Sequence, residues 1–162
     1  MHKSPSSHEW QQWLDEHASR LLLFARQQCR HAADAEDLLQ EALVESWDRT
    51  KQGLPEVPLV YATIRRRAID RARSDDRRRQ REEASAPADE EWFDDTGELR
   101  EVVEVGMRGL PEIYREVVTL KVWGELTFEE IAGVLEIPAN TAASRYRYGI
   151  EALRKTFKGL PR

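Results

Sequence analysis

Cysteine occurs once in the 162 residues, at Cys29, so the chain can close no internal disulfide and cannot build a thiolate zinc site. Cys29 falls on the apolar side of a helical pattern and reads as a small buried hydrophobe. The four histidines, His2, His8, His17 and His31, show no metal-ligand spacing with carboxylates, and no metal or other cofactor is expected. No apolar run reaches membrane-spanning length, so no membrane insertion is expected. The opening residues MHKSPSSHEW lack the apolar stretch of a secretory signal, which points to the cytoplasm. Alternating strand patterns are missing, and so are internal repeats of fixed period. A Walker loop, a nucleophile motif and a metal-binding carboxylate cluster are missing as well, so the chain is not expected to be an enzyme.

What is present is charge, unevenly spread. The formal net charge is −5, with 34% of residues charged and 40% apolar. That is polar for one core and fits small helical units joined by a solvated segment. The negative sum hides two basic stretches. Residues 59–81 hold nine arginines against Asp70, Asp75 and Asp76, a local net of +6. Residues 139–162 hold six basic residues against Glu151, a local net of +5, with Arg154, Lys155, Lys158 and Arg162 at the end. The chain between them, 82–136, is acidic. Local fields, not the sum, steer a polyanion to a surface.

Apolar spacing predicts an all-α chain. A first helix over about 8–29 carries Trp10, Trp13, Leu14, Leu21, Leu22 and Ala25. A second opens at Asp34 as N-cap, with Leu38, Leu39, Ala42, Leu43 and Trp47 on one side and Glu36, Asp37, Gln40, Glu41 and Val44 on another. Gly53, Pro55 and Pro58 mark a loop. A third helix, from Pro58 or Leu59 to about Glu83, buries Val60, Tyr61, Ile64, Ala68, Ile69 and Ala72. Residues 84–97, ASAPADEEWFDDTG, read as a flexible acidic linker. Trp92 and Phe93 are odd there: they either dock on a neighbouring domain or contact a partner. A fourth helix starts near Glu98 with Leu99, Val102, Val103 and Met107 on one face. A fifth runs over 111–123 with Ile113, Val117, Val118, Leu120 and Val122, and Gly124 ends it. The expected domains are 1–83 and 98–162, the second a four-helix unit.

The most specific stretch is 126–155, LTFEEIAGVLEIPANTAASRYRYGIEALRK. Thr127 with Glu130 three residues later makes a capping box. Ile131, Ala132 and Leu135 form an apolar face, and Ile137 and Pro138 make a tight turn. Ala142, Tyr146, Ile150, Leu153 and Phe157 then recur at helical spacing. This is the pattern of a helix-turn-helix, whose second helix enters a DNA major groove. A structural hairpin is the plain alternative. Against it, Asn140, Thr141, Ser144, Arg145 and Arg147 can all bond to base edges or phosphates, although Asn140 or Thr141 can instead cap the helix.

With these residues in place the chain resembles a bacterial sigma factor of the sigma-70 family, extracytoplasmic-function group. Residues 34–49, DAEDLLQEALVESWDR, resemble region 2.2. Residues 58–80, PLVYATIRRRAIDRARSDDRRRQ, resemble regions 2.3 and 2.4, and 109–155 resemble region 4. The resemblance implies a protein that binds core RNA polymerase at the β′ clamp and β flap and reads the −10 and −35 promoter elements, with an anti-sigma factor as a further partner. It implies core docking through Glu36, Asp37, Gln40, Glu41 and Val44. For the −10 element it implies Lys51 and Gln52 in the base-capture loop, and Arg65, Arg66, Arg67, Arg71 and Arg73 along the third helix. Tyr61 either holds an unstacked base or packs the core. The −35 element falls to Asn140, Thr141, Ala143, Ser144, Arg145 and Arg147. The chain departs from the family's usual Gly at Glu136, Lys at Ala143, aromatic at Leu59 and Asn at Arg66, and no domain is expected beyond region 4. Competing readings are a stand-alone helix-turn-helix regulator, a helical protein-interaction module and a DNA-processing enzyme.

Overall fold

The computed structural model describes residues 4–79, 91–94 and 97–159, without the side chains of residues 75–79 and of Glu98. The described residues form seven α-helices and no strand, in two units, Met1–Glu90 and Glu91–Arg162. The expected extension of the third helix to Glu83, the side chains of Arg77 to Arg81, most of the segment 84–97 and Arg162 lie outside the described residues.

In the N-terminal unit, α1 is Ser7–Gln28. The Ser6 hydroxyl accepts the Glu9 N–H at 3.1 Å and starts it. Its buried residues are Trp13, Leu21, Leu23, Phe24 and Ala25, so the stripe turns onto Leu23 and Phe24 while Leu22 is half-buried. Helix α2 is Ala32–Arg49 and starts ahead of expectation: His31 is the N-cap, with no side-chain capping bond, and Asp34 sits in the first turn, where its charge suits the helix dipole. Its buried side is Ala35, Leu38, Leu39, Ala42 and Ser46. Helix α3 is Val57–Arg79 and packs on both others. Val60, Tyr61, Thr63, Ile64 and Ala68 are buried, whereas Ile69 is only half-buried and Ala72 is exposed. Phe24 and Tyr61 meet edge to face, ring centres 5.3 Å apart, at the middle of this core.

The C-terminal unit contains α4 (Glu98–Gly109), α5 (Glu112–Val122), α6 (Phe128–Leu135) and α7 (Ala139–Lys158). It begins ahead of α4, because Trp92 is buried. The buried Glu104 carboxylate accepts the backbone N–H groups of Trp92 and Phe93 at 2.5 and 2.8 Å. The Arg108 and Arg115 guanidiniums lie 4.0 and 5.0 Å from the Trp92 ring centre. Phe93 meets Trp123 at 5.3 Å. The aromatic pair expected in a linker is thus part of this unit. On α4, Leu99 is 77% exposed and does not join the apolar face expected of it; Glu104, Gly106 and Met107 are the buried residues.

Helix α6 has the full capping box: Thr127 Oγ1 accepts the Glu130 N–H at 3.1 Å, and Glu130 Oε1 accepts the Thr127 N–H at 2.9 Å. Glu136 ends it in the left-handed region, φ 56°, and its N–H donates to the Ala132 carbonyl. The backbone shape that usually selects glycine is kept here by a residue with a Cβ, at a local cost of about 1 kcal/mol. Helix α7 begins one residue after its N-cap, Pro138, so Asn140 and Thr141 lie inside the first turn and are not caps.

Candidate nucleic-acid interface

Helix α7 buries Ala142, Gly149 and Leu153 against α4, α5 and α6. The opposite stripe, at i, i+4, i+7 and i+11, is Asn140, Ser144, Arg147 and Glu151. Asn140, Arg147 and Glu151 are exposed and Ser144 is half-buried. Arg147 Nη2 donates to Ser144 Oγ at 3.4 Å, a long bond on the exposed side of the helix. Thr141, Ala143 and Arg145 are half-buried on the flanks. Arg145 thus lies on the flank of the stripe and Arg147 on its exposed face. Tyr148, exposed beside Ser144 and Arg147, was missed because a tyrosine reads equally well as core.

On α2, Glu36, Asp37, Gln40, Glu41 and Val44 all lie exposed, as the sequence spacing placed them, Val44 to 58%. The arginines of α3 are less simply disposed. Arg73 is exposed and Arg65 half-buried. Arg66, Arg67 and Arg71 turn toward α2. Arg66 pairs with Glu45, Arg67 with Glu45 at 3.0 Å and Glu41 at 3.2 Å, and Arg71 with Glu41 at 2.7 Å. Arg71 also donates to the Asp34 carbonyl at 3.2 Å. Glu45, which the sequence reading did not single out, therefore holds two arginines, and Glu41 touches both surfaces expected to be functional.

The hydrogen bond from Arg66 holds the Glu45 carboxyl below its ordinary pKa of 4.5, against desolvation that alone would raise it; Arg67 adds to the lowering. The sign follows. A carboxylate depressed in the folded state contributes stability that is fully present above pH 4.5 and is lost as pH falls through the folded value. Hydrogen exchange of α2 and α3 amides should therefore quicken as pH drops below about 4.5 by more than the intrinsic rate accounts for. A Glu45→Gln chain should lack that component. An identical pH response in the two would remove Glu45 as its source.

Of the two readings of Tyr61, burial favours core packing. It is 1% exposed and edge-on to Phe24, so no base can stack on it in this arrangement. Its ring fills the core. Lys51 and Gln52 are exposed, and both adopt positive φ, 55° and 67°. Thr50 Oγ1 lies 2.8 to 3.1 Å from the carbonyls of Ser46, Trp47 and Gly53 and fastens this turn to the end of α2. Successive non-glycine residues in the left-handed region are costly and persist where surrounding bonds over-determine them. The turn presents both side chains outward from a fixed backbone.

Among the described residues no group of three or more His, Cys, Asp and Glu could hold a metal, and no helix is long and apolar enough to cross a membrane.

Comparison with known proteins matches these two regions to two family models: Sigma-70 region 2 over residues 13–78, and Sigma-70, region 4 over residues 100–153. The chain is 31% identical over 139 residues to the ECF RNA polymerase sigma factor SigK of Mycobacterium ulcerans, covering 77% of this chain and 73% of that one. It is 30% identical over 155 residues to the RNA polymerase sigma-E factor of Streptomyces avermitilis, covering 91% and 84%. A shorter match, 40% over 63 residues, joins 39% of the chain to 34% of the Bacillus subtilis ECF sigma factor SigW. In fold it is similar to the sigma factor RpoE of Bartonella quintana, solved in complex with the anti-sigma factor NepR, with TM-score 0.72, 20% identity and coverage of 94% and 98%. The chain belongs to the sigma-70 family of RNA polymerase sigma factors, in its extracytoplasmic-function (ECF) group.

Proposed function

We propose that the chain docks on core RNA polymerase through Glu36, Asp37, Gln40, Glu41 and Val44 of α2 and brings it to promoters by two DNA contacts. Helix α3 and the turn at Lys51 and Gln52 meet the −10 element. Helix α7 meets the −35 element. The observation that carries the reading is the stripe of exposed Asn140, half-buried Ser144 and exposed Arg147 on the second helix of a capped helix-turn-helix. Sigma factors are generally non-enzymatic, and this one works by binding. Two small units on one chain suit the task, since engaging one element raises the effective concentration of the other contact. The expected partition is 1–83 and 98–162 about a linker, and the packing of Trp92 extends the second unit toward Glu91. The cytoplasm, where core polymerase acts, is its site of action. The β′ clamp and β flap are its polymerase contacts, and an anti-sigma factor is a fitting regulator.

Run-off transcription with purified core polymerase tests this reading. Added chain should produce promoter-dependent initiation, which neither a stand-alone regulator nor an interaction module gives. Arg145→Ala and Arg147→Ala should each lower promoter-specific initiation on the order of tenfold, with core binding unchanged. Equal losses in transcription and core binding would remove both as DNA contacts.

A further inference from the structure

Tyr148 lies one residue beyond Arg147 and one helical turn beyond Ser144, and it is 58% exposed. An aromatic ring left so open calls for a physical account. The ring is not loose. Tyr114 of α5 stands with its ring centre 6.3 Å away, tilted by 48°. Gly149 makes that approach possible. A Cβ there would lie 2.7 Å from Val118 Cγ2 and 3.5 Å from Tyr114 Cβ. Without one, α5 and α7 close together at this level, and the Tyr114 ring backs the Tyr148 ring. One side of the phenol is supported from α5, and the rest is left open beside Ser144 and Arg147.

The position along the helix matters as much as the exposure. Ser144 and Tyr148 are about 6 Å apart along the axis, on the order of two base steps of DNA. A helix laid in a major groove with Asn140, Ser144 and Arg147 against base edges therefore carries the Tyr148 ring to the same groove, farther along. A tyrosine offers an apolar ring edge and a hydroxyl. In the major groove the one apolar feature is the C5-methyl group of thymine. The neighbouring hydroxyl can bond to a phosphate oxygen. Ala143 on the same helix adds a methyl where a long cation would have reached for phosphate or guanine.

We propose that Tyr148 is a specificity-determining residue for the upstream promoter element. Its ring packs on a thymine methyl and its hydroxyl bonds to the adjacent phosphate. Tyr114 is its positioning residue. This rests on the reading of α7 as the −35 helix and goes beyond it in naming the base.

The test uses the full chain with core polymerase and promoters randomised across the upstream element, scored by the transcripts they yield. The wild type should select thymine at one position. Replacing that thymine by deoxyuridine, which removes only the methyl, should cost about threefold to fivefold. Tyr148→Ala should lose the preference at that position alone, with other positions retained and the deoxyuridine effect gone. Tyr148→Phe should keep the methyl preference and lower the overall yield. Tyr114→Ala should weaken the preference without abolishing it, and the exposed Tyr148 substitutions carry the test if that variant folds poorly. A Tyr148→Ala chain that selects the same bases as strongly as wild type overturns the proposal. A wild type that initiates with core yet selects no upstream element overturns the groove reading of α7, and the proposal with it.

Discussion

Replacing Trp92 by alanine is expected to destabilise the C-terminal unit by about 3 kcal/mol. The ring is 8% exposed, and two guanidinium carbons lie 4.0 and 5.0 Å from its centre. Its removal leaves a cavity and takes away the ring that the Arg108 and Arg115 guanidiniums lie over. It also loosens the backbone that donates to Glu104, so a buried carboxylate loses partners. For a unit of this size the loss should lower Tm by roughly 10–20 °C. Thermal unfolding followed by near-ultraviolet circular dichroism measures it. Glu104→Gln should fall in the same direction by a smaller step, since it keeps the shape and weakens the charge-assisted bonds. A Tm for Trp92→Ala within two degrees of wild type would show that the anchor is dispensable.

That anchor also shows where the sequence was legible and where it was not. Helical spacing marked every helix, and the Thr127–Glu130 box and the turn before α7 were readable because local chemistry alone determines them. Trp92 was visible only as an anomaly, because its partners, Glu104, Arg108 and Arg115, are brought together by tertiary packing. The α2 start was placed late because Asp34 is a good N-cap by type. The helix instead begins at Ala32, with Asp34 favouring the first turn through the dipole. The arginine run was read as one basic surface. Composition cannot tell which arginines lie opposite glutamates on another helix, and three of them do. Gly149 carried no signal of its own, since a glycine inside a helix reads as a weak point until the helix across from it is known.

Reversing the charge of Asp37 alone is expected to weaken core-polymerase binding on the order of a hundredfold while leaving the fold nearly unchanged. Asp37 is exposed on α2 among Glu36, Gln40, Glu41 and Val44, and a basic docking partner would meet an added cation in place of an anion. Like charges brought together at an interface cost several kcal/mol, whereas an exposed substitution away from packed features shifts stability by about half a kcal/mol or less. Glu41 behaves differently. Its carboxylate is 2.7 Å from Arg71 and 3.2 Å from Arg67, so Glu41→Arg would break two ion pairs and set three cations side by side. A double reversal of both residues thus mixes lost docking with a loosened α2–α3 contact. Asp37→Arg, compared with Glu41→Gln, separates them. Asp37→Arg should lose core binding in a salt-dependent titration, with Tm within about 3 °C of wild type and free DNA binding unchanged. Glu41→Gln should lose less core binding, and by releasing Arg71 toward phosphates, while Glu45 still holds Arg67, it should steepen the salt dependence of DNA binding by about one released counterion. Asp37→Arg that titrates core as tightly as wild type would move the docking surface off this face of α2. Wild-type and Glu41→Gln chains with the same salt slope would assign Arg71 to holding α2 against α3 and remove it from the DNA contacts.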